Sequence, residues 1–404
     1  MEKKKNVPVL RFPEFSGDWE KKKLGDISEK INSGKTPLGG ESVYTEQGIL
    51  FIRSQNVFDN KLSYENSTFI PEEINNTMKN SIVKPKDILL NITGASLGRS
   101  CVLPENFTTG NVNQHVCIVR IDKNNEPLFI QPIFASEKGQ NLFISLQTGS
   151  GREGLNFQNI SKISFYYPTH LEQQKVASFL LTVENKLQAL KKKKTLLEQY
   201  KKGMMQKIFS QELRFKDDSG AAFPKWEKKK LGEVVKLENR KYNPEKENNS
   251  VKCIELEHLA SETGQILGFV DGKNSGSIKN RFKKGDVLFG KLRPYLKKYL
   301  FAPFDGVCSS EIWVLTGKQI TNEFLYFIVQ SNKFIDLTSI SSGSKMPRAD
   351  WNIVSDGLFN IPSLPEQTKI ANFLSAIDDK INLCNTQIEK TEQWKKGLLQ
   401  KMFV

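Results

Sequence analysis

Seven residues occur twice in this chain. Trp19-Glu20-Lys21-Lys22-Lys23-Leu24-Gly25 returns as Trp226-Glu227-Lys228-Lys229-Lys230-Leu231-Gly232, and a Phe-Pro pair stands ahead of each copy, Phe12-Pro13 and Phe223-Pro224. A longer match joins residues 168–209 to 362–403. Glu172-Gln173 with Lys175 recurs as Glu366-Gln367 with Lys369, and Lys201-Lys202-Gly203 with Gln206-Lys207 recurs as Lys395-Lys396-Gly397 with Gln400-Lys401. A period this long means that one structural unit is built twice. Each half reads as a divergent globular body followed by a similar tail.

The two bodies match in places. Lys86-Asp87-Ile88-Leu89-Leu90 aligns with Gly285-Asp286-Val287-Leu288-Phe289, and Asn111-Val112-Asn113-Gln114-His115-Val116 aligns with Gly306-Val307-Cys308-Ser309-Ser310-Glu311. Short apolar runs broken by Gly, Pro, Asn and Ser predict short strands with some helix, an α+β body. The tails follow Pro168 and Pro362, where a helix is expected to begin. In the first, Leu180, Val183, Leu187, Leu190 and Leu197 alternate at spacings of three and four, with Lys194 interrupting the seam within a lysine run at 191–194 that reads as a solvated face. In the second, Leu374, Ile377, Ile381 and Ile388 do the same, with Cys384, Thr391 and Leu398 in register. That spacing predicts a coiled-coil seam. The expected domains are therefore a first body at 1–166, a first helix at 167–212, a second body at 213–360 and a second helix at 361–404.

A geometry follows. The short link between residues 209 and 226 carries the second body at the far end of the first helix. The second helix must run back to pair with the first, so the pair is expected to be antiparallel, with an approximate two-fold relation between the halves. A helix of about 30 residues spans roughly 45 Å, the length of about 13 base pairs of duplex. Two inverted readers on such a spacer suit a split DNA target, an arrangement that dimeric repressors assemble from two chains.

The net charge of +14 agrees with a nucleic-acid partner. It is spread along the chain, with +2, +6, +5 and +1 over 1–166, 167–214, 215–360 and 361–404. No run of about 18 apolar residues exists for a membrane span. The start, Met1-Glu2-Lys3-Lys4-Lys5, is not expected to be a secretory signal. Cys101, Cys117, Cys253, Cys308 and Cys384 form no CxxC pair, so reduced thiols in a cytoplasmic protein are expected, without a disulfide framework or zinc site.

The alternation of body and repeated helix resembles the specificity subunit of type I restriction–modification enzymes, over nearly the whole chain. The Trp19 and Trp226 segments, each followed by Leu-Gly, look like the family's domain openings. Gly34-Lys35-Thr36-Pro37 resembles its Gly-x-Thr-Pro loop. Asp87-Ile88-Leu89-Leu90-Asn91-Ile92-Thr93-Gly94, running to Gly98-Arg99, resembles a strand-turn segment of its recognition domains, as does Asn113-Gln114-His115-Val116. Gly285-Asp286-Val287-Leu288-Phe289-Gly290-Lys291-Leu292-Arg293-Pro294-Tyr295-Leu296 looks like the alternative version of the first, followed by Ser309-Ser310-Glu311. Pro-x-x-x-Glu-Gln opens both helices. The second body departs from the pattern: Asn239-Arg240-Lys241-Tyr242 stands near where the Gly-x-Thr-Pro loop would be, so the two bodies are expected to read different half-sites.

The resemblance implies that each body is a target recognition domain for one half of a bipartite sequence. It implies helices that dock two modification subunits carrying S-adenosylmethionine, with ATP-using restriction subunits joining them. This chain would bind no cofactor or metal and would not itself be an enzyme. Consistently, it lacks an Asn-Pro-Pro-aromatic motif (Asn243-Pro244 is followed by Glu245) and a GxxxxGK[ST] phosphate loop. The glycine-rich run at 149–154 reads as a loop near DNA. The three histidines, His115, His170 and His258, have no metal-site spacing and are expected to be structural, with His115 also a candidate to face DNA. A stand-alone two-headed DNA-binding regulator, a coiled-coil scaffold and a specificity chain of a fused or type II-like system remain alternatives.

Binding groups concentrate in loops. In the first body the DNA-facing candidates are Lys35 and Thr36, then Arg53, Gln55 and Asn56, then Thr93, Ser96 and Arg99, then Gln114 and His115, and Arg152. In the second, Lys291, Arg293, Tyr295, Lys297 and Lys298 form a basic, aromatic-laced cluster, with Ser310, Glu311, Lys345 and Arg348 beside it. Phosphate contacts supply affinity and base-edge contacts supply specificity. If Arg293 reads a base, Arg293→Ala should weaken binding by about 1–3 kcal/mol and relax one position of the target. A loss uniform across sequences, with a weaker salt dependence, marks a phosphate contact instead. Titrations against a panel of duplexes at two salt concentrations separate the outcomes.

Overall fold

A computed structural model of the chain describes residues 6–58, 60–147, 154–247, 250–340 and 346–404. The chain divides into two compact units, Met1–Lys191 with Thr386–Val404, and Lys192–Asn385. The division falls inside two long helices, α1 (His170–Phe209) and α2 (Leu364–Met402), so each unit holds one body and half of each helix.

In the first unit a four-stranded sheet runs in the order Ser28–Ser33, Val116–Ile121, Ile88–Asn91, Ser100–Val102, all antiparallel. Its central strands are largely apolar because both faces are covered. Side chains alternate across a sheet. Ile88, Leu90, Cys117 and Val119 face a core shared with the long helices, whereas Leu89, Val116 and Ile118 face a second core. That second core is closed by another sheet, in the order Thr68–Ile70, Ile49–Ile52, Gly110–Val112, Ile82–Val83. Ile49–Ile52 and Gly110–Val112 are parallel within it.

The second unit repeats this plan. Val235–Leu237, Ile312–Gly317, Val287–Gly290 and Tyr299–Phe301 form the first sheet. Val287 and Phe289 face the helix-side core and Leu288 faces the other. The second sheet has five strands, with Lys252–Ile254 parallel to Gly306–Cys308. The fold class is α+β, as the sequence predicts, and the two bodies share a plan to which the second adds the edge strand Lys241–Tyr242.

The seam positions are covered. Leu180, Val183, Leu187, Leu374 and Ile377 are buried, and Leu190, Leu197, Ile381 and Ile388 are half-buried. Within the first unit, Leu180 and Val183 of α1 share a core with Leu398, Leu399 and Met402 of α2. There Lys395 bonds Glu184, and Lys191 pairs with Glu392 at 3.2 Å. Within the second unit, Lys201 pairs with Asp378 at 2.7 Å. In the first unit partners that rise in α1 fall in α2, so the helix halves pack antiparallel there. Lys395 and Lys201 are repeat equivalents, as are Glu184 and Asp378: the duplication has copied a cross-helix charge pair. Burial raises the Asp378 carboxyl pKa, and Lys201 opposes that shift. Within the lysine run only Lys192 and Lys193 are fully exposed. Lys191 belongs to the cross-helix pair just described, and the half-buried Lys194 lies 3.7 Å from Glu198.

The Glu-Gln pair at each helix start ties helix to body. Glu172 is 1% exposed and accepts from Arg11 Nε and Nη2, both at 2.7 Å, and from Trp19 Nε1 at 3.3 Å. Glu366 is 0% exposed and accepts the same set from Arg214, at 2.7 and 2.8 Å, and from Trp226 at 2.9 Å. Gln173 and Gln367 accept from the backbone N–H of Glu126 and Thr321, each at 2.9 Å. The repeat therefore starts earlier than the Phe-Pro pairs suggest. Leu10-Arg11-Phe12 is equivalent to Leu213-Arg214-Phe215, and that alignment displaces the one through Phe223-Pro224. In the second unit, Leu213 N bonds Lys207 O at the end of α1, six residues away. In the first, Leu10 N bonds Lys401 O, the equivalent position on α2.

A bidentate guanidinium on a buried carboxylate is costly to break from one side. Glu172→Gln and Glu366→Gln should each destabilise the fold by on the order of 3 kcal/mol, seen as a lowered urea midpoint. Pairing Glu172→Gln with Arg11→Met should recover part of that loss in the same titration, because the uncompensated cation is then gone.

Candidate nucleic-acid interface

Sheet topology brings the candidate loops together. In the first body Ile49–Ile52 and Gly110–Val112 are parallel, so their C-terminal ends lie side by side. Ile88–Asn91 runs antiparallel to Val116–Ile121 and ends where that strand begins. The loops that follow are stitched by backbone: Asn113 N bonds Ile52 O at 3.1 Å, Ile92 N bonds His115 O at 3.0 Å, and Gly34 N bonds Asn113 O at 3.1 Å. Asn91 Nδ2 reaches Ser54 O at 2.8 Å and Ser96 Oγ at 3.1 Å.

A polar chain runs across this end of the body. Thr36 Oγ1 lies 2.6 Å from Gln114 Oε1, Gln114 Nε2 lies 3.1 Å from His115 Nε2, and Thr93 Oγ1 lies 2.7 Å from His115 Nδ1. Lys35 is exposed next to Thr36, and Arg99 is exposed with its guanidinium 5.4 Å from the Phe58 ring. Arg53 lies over Tyr44 at 6.0 Å, and its Nε has no partner among the described residues. Gln55 is exposed and bonds Asn66 O. Thus Lys35, Thr36, Arg53, Gln55, Thr93, Ser96, Arg99, Gln114 and His115 belong to one connected set of loops.

Asn56 does not fit the expected role. It is 1% exposed; its Oδ1 accepts from Arg53 N at 3.0 Å and its amide bonds Ser63 O, so it shapes the turn that carries Arg53 and Gln55. Arg152, most of the glycine-rich run around it, and Lys345 lie outside the described residues.

In the second body the same strand ends carry loops 255–258, 291–298 and 309–311. Ser309 N bonds Ile254 O at 2.9 Å and Lys291 N bonds Glu311 O at 2.9 Å. These bonds correct the sequence alignment by one residue: Asn113, Gln114 and His115 correspond to Ser309, Ser310 and Glu311. A segment at 346–349 closes on the longest loop, with Arg293 N on Pro347 O and Ala349 N on Lys291 O, both 2.8 Å. Arg348 Nε holds Glu311 Oε2 at 3.0 Å. Arg293, Tyr295 and Ser310 are exposed.

Two of the basic candidates are used internally: Lys298 donates to Leu256 O at 2.7 Å, and Lys297 pairs with Glu262 at 2.9 Å. Arg240, near the expected loop substitute, pairs with buried Asp286 at 2.7 Å, and Tyr242 is 1% exposed, so that segment is structural. His258 Nδ1 accepts from Glu255 N at 3.0 Å, a structural role as expected; the buried Nδ1 of His170 has no partner among the described residues.

The sequence reading missed Ser54, Asn91 and Asn113, which wire the first set of loops. It also missed Glu255 and Lys279, which pair at 2.7 Å beside the second. Only the strand contacts reveal them, since Arg53-Ser54-Gln55-Asn56 and its counterpart Glu255-Leu256-Glu257-His258 share no residue. Burial, reinforced by Glu255, pushes the Cys253 thiol up to about 12, which leaves it protonated at neutral pH. What these surfaces offer is donors and acceptors at loop tips, a chemistry of recognition.

The comparisons decide the family. The type I restriction modification DNA specificity domain matches residues 16–199 and again 224–393. The chain belongs to that family. The two matches follow the duplication, one per body with much of its helix. The MjaVIII type I restriction enzyme specificity subunit of Methanocaldococcus jannaschii is 24% identical, over 98% of this chain and 93% of that protein. The MjaIX specificity subunit of the same organism is 22% identical, over 98% and 95%. The crystal structure of a type I restriction–modification S subunit from M. genitalium shares the fold, with TM-score 0.64 at 14% identity, over 98% of this chain and 99% of that one. Among the described residues of this specificity protein, no helix is long and apolar enough to cross a membrane.

The Gly34 turn is the tightest point of the first set of loops. A Cβ there would stand 1.6 Å from the Val112 carbonyl oxygen, which is backbone and cannot swing away. Gly34→Ala should displace Lys35 and Thr36 and cost about 1–3 kcal/mol, measured as a lower thermal midpoint together with weaker binding to the half-site read by the first body.

Proposed function

We propose that this specificity chain reads a bipartite DNA target, one half-site per body, as the recognition subunit of a type I restriction–modification complex. One observation carries the reading: the two bodies share a loop frame yet place different groups at equivalent positions. Gln114 and His115 stand in one where Ser310 and Glu311 stand in the other, and Arg53 stands where Glu255 does. A shared frame with exchanged side chains suits two readers of unlike sequence, because base edges are distinguished by their donor and acceptor patterns. The DNA-facing set is Lys35, Thr36, Arg53, Gln55, Thr93, Ser96, Arg99, Gln114, His115 and Arg152 in the first body. In the second it is Lys291, Arg293, Tyr295, Ser310, Glu311, Lys345 and Arg348, with Lys297 and Lys298 as supports.

The expected domain bounds, 1–166, 167–212, 213–360 and 361–404, fit this division of labour. The helices serve as spacer and as the docking surface for two modification subunits, which bring S-adenosylmethionine and methylate adenine. Restriction subunits that use ATP join the same complex in the cytoplasm. This chain contributes recognition and binds neither cofactor.

The test is co-purification of any methyltransferase-like protein from the host, followed by methylation sequencing of host DNA. N6-methyladenine at one split motif, absent when this gene is deleted, is the expected result. A methylome unchanged by deletion, with no methyltransferase bound, would leave a stand-alone regulator as the better reading.

A further inference from the structure

The loops that follow Ile88–Asn91 and Val287–Gly290 share their two backbone anchors. Ile92 N on His115 O matches Lys291 N on Glu311 O, and Asn91 N on Arg99 O matches Gly290 N on Lys298 O. Both loops turn two left-handed corners. In the first body glycines occupy them, Gly94 at φ +71° and Gly98 at φ +84°; in the second the same corners hold Arg293 at φ +52° and Lys297 at φ +47°.

Side chains other than glycine strain such corners, and strain of this kind is kept where a function needs the side chain. Lys297 has an internal partner in Glu262, whose N–H also bonds its carbonyl at 3.0 Å. The guanidinium of Arg293 has none among the described residues, and it is exposed. Its backbone is meanwhile held rigidly by Pro347, with Pro294 following. Glu311 lies on the same ladder through its bond to Lys291, and one of its carboxylate oxygens is taken by Arg348. A carboxylate oxygen left over from that pair offers an acceptor, which suits an amino group on a base edge and not a phosphate.

We propose that the second body reads a G·C base pair, with Arg293 donating to guanine O6 and N7 while the free oxygen of Glu311 accepts from cytosine N4. Both pairings match the major-groove pattern of that base pair. The proposal rests on the recognition reading above and narrows it to one base pair in one half-site.

The full chain is expressed with its modification subunits in a host without adenine methylation, and the methylated motif is sequenced for wild type, R293G and E311A. Thermal midpoints of the purified complexes are recorded alongside. R293G restores the residue that the first body uses at this corner, so its midpoint should equal or exceed that of wild type. One G·C position, in a single half-site, should then lose discrimination by on the order of 10- to 100-fold, and E311A should relax the same position. A lower midpoint with the motif intact would make Arg293 structural and overturn the proposal. So would relaxation at an A·T pair, or a uniform loss of methylation with a flatter salt dependence, the mark of a phosphate contact. If the wild type produces no split motif, the recognition reading itself fails, a result distinct from any failure confined to R293G.

Discussion

Two buried carboxylates organise this protein. Glu172 and Glu366 lie at the starts of the long helices with almost no access to solvent, and each is neutralised by a bidentate arginine and an indole N–H from the opening segment of its body. An ionised group placed so deeply demands such partners. These contacts tie the helix start to the body's opening segment, and the neighbouring Gln173 and Gln367 fasten the same helix turn to the start of a second helical segment. The loops that face outward depend on this frame, because the sheet whose strand ends carry them packs its other face on the helix-side core.

The duplication makes the frame testable by internal comparison. Arg11 with Glu172 and Arg214 with Glu366, and Lys395 with Glu184 and Lys201 with Asp378, are paired twice over. These contacts serve folding, and they are alike in both halves. The residues at the loop tips are not alike: Gly94 against Arg293, His115 against Glu311, Arg53 against Glu255. What is shared builds the scaffold, and what differs is the set that the proposed function assigns to reading the target. Continuity of the chain is also interchangeable with contact here, since Leu213 reaches the end of α1 along the chain while Leu10 reaches the equivalent turn of α2 through space.

Much of this architecture was legible in the sequence. Repeated Trp-Glu-Lys-Lys-Lys-Leu-Gly and Pro-x-x-x-Glu-Gln segments announced two units, and the three-four spacing of Leu180, Val183, Leu187, Leu374 and Ile377 announced helices with one apolar stripe. Those signals are local or strictly periodic, so they survive without coordinates. The Leu-Arg-Phe repeat was equally visible but was obscured by the nearer Phe-Pro pairs.

The candidate site was legible only in outline, for a physical reason. Turn-rich segments such as residues 92–99 and 291–298 can be recognised from composition, but which strand ends lie adjacent is set by parallel pairing between segments some 55 to 60 residues apart. That pairing moved the alignment of the third loop by one residue, and internal hydrogen bonds turned Asn56 and Lys298 from surface candidates into internal supports. Sequence alone thus determined the duplication, the helices and the family. Only the tertiary structure decided which polar side chains are consumed in holding the loops and which are left free at their tips, because a hydrogen-bonding group is free or spent according to what packs against it.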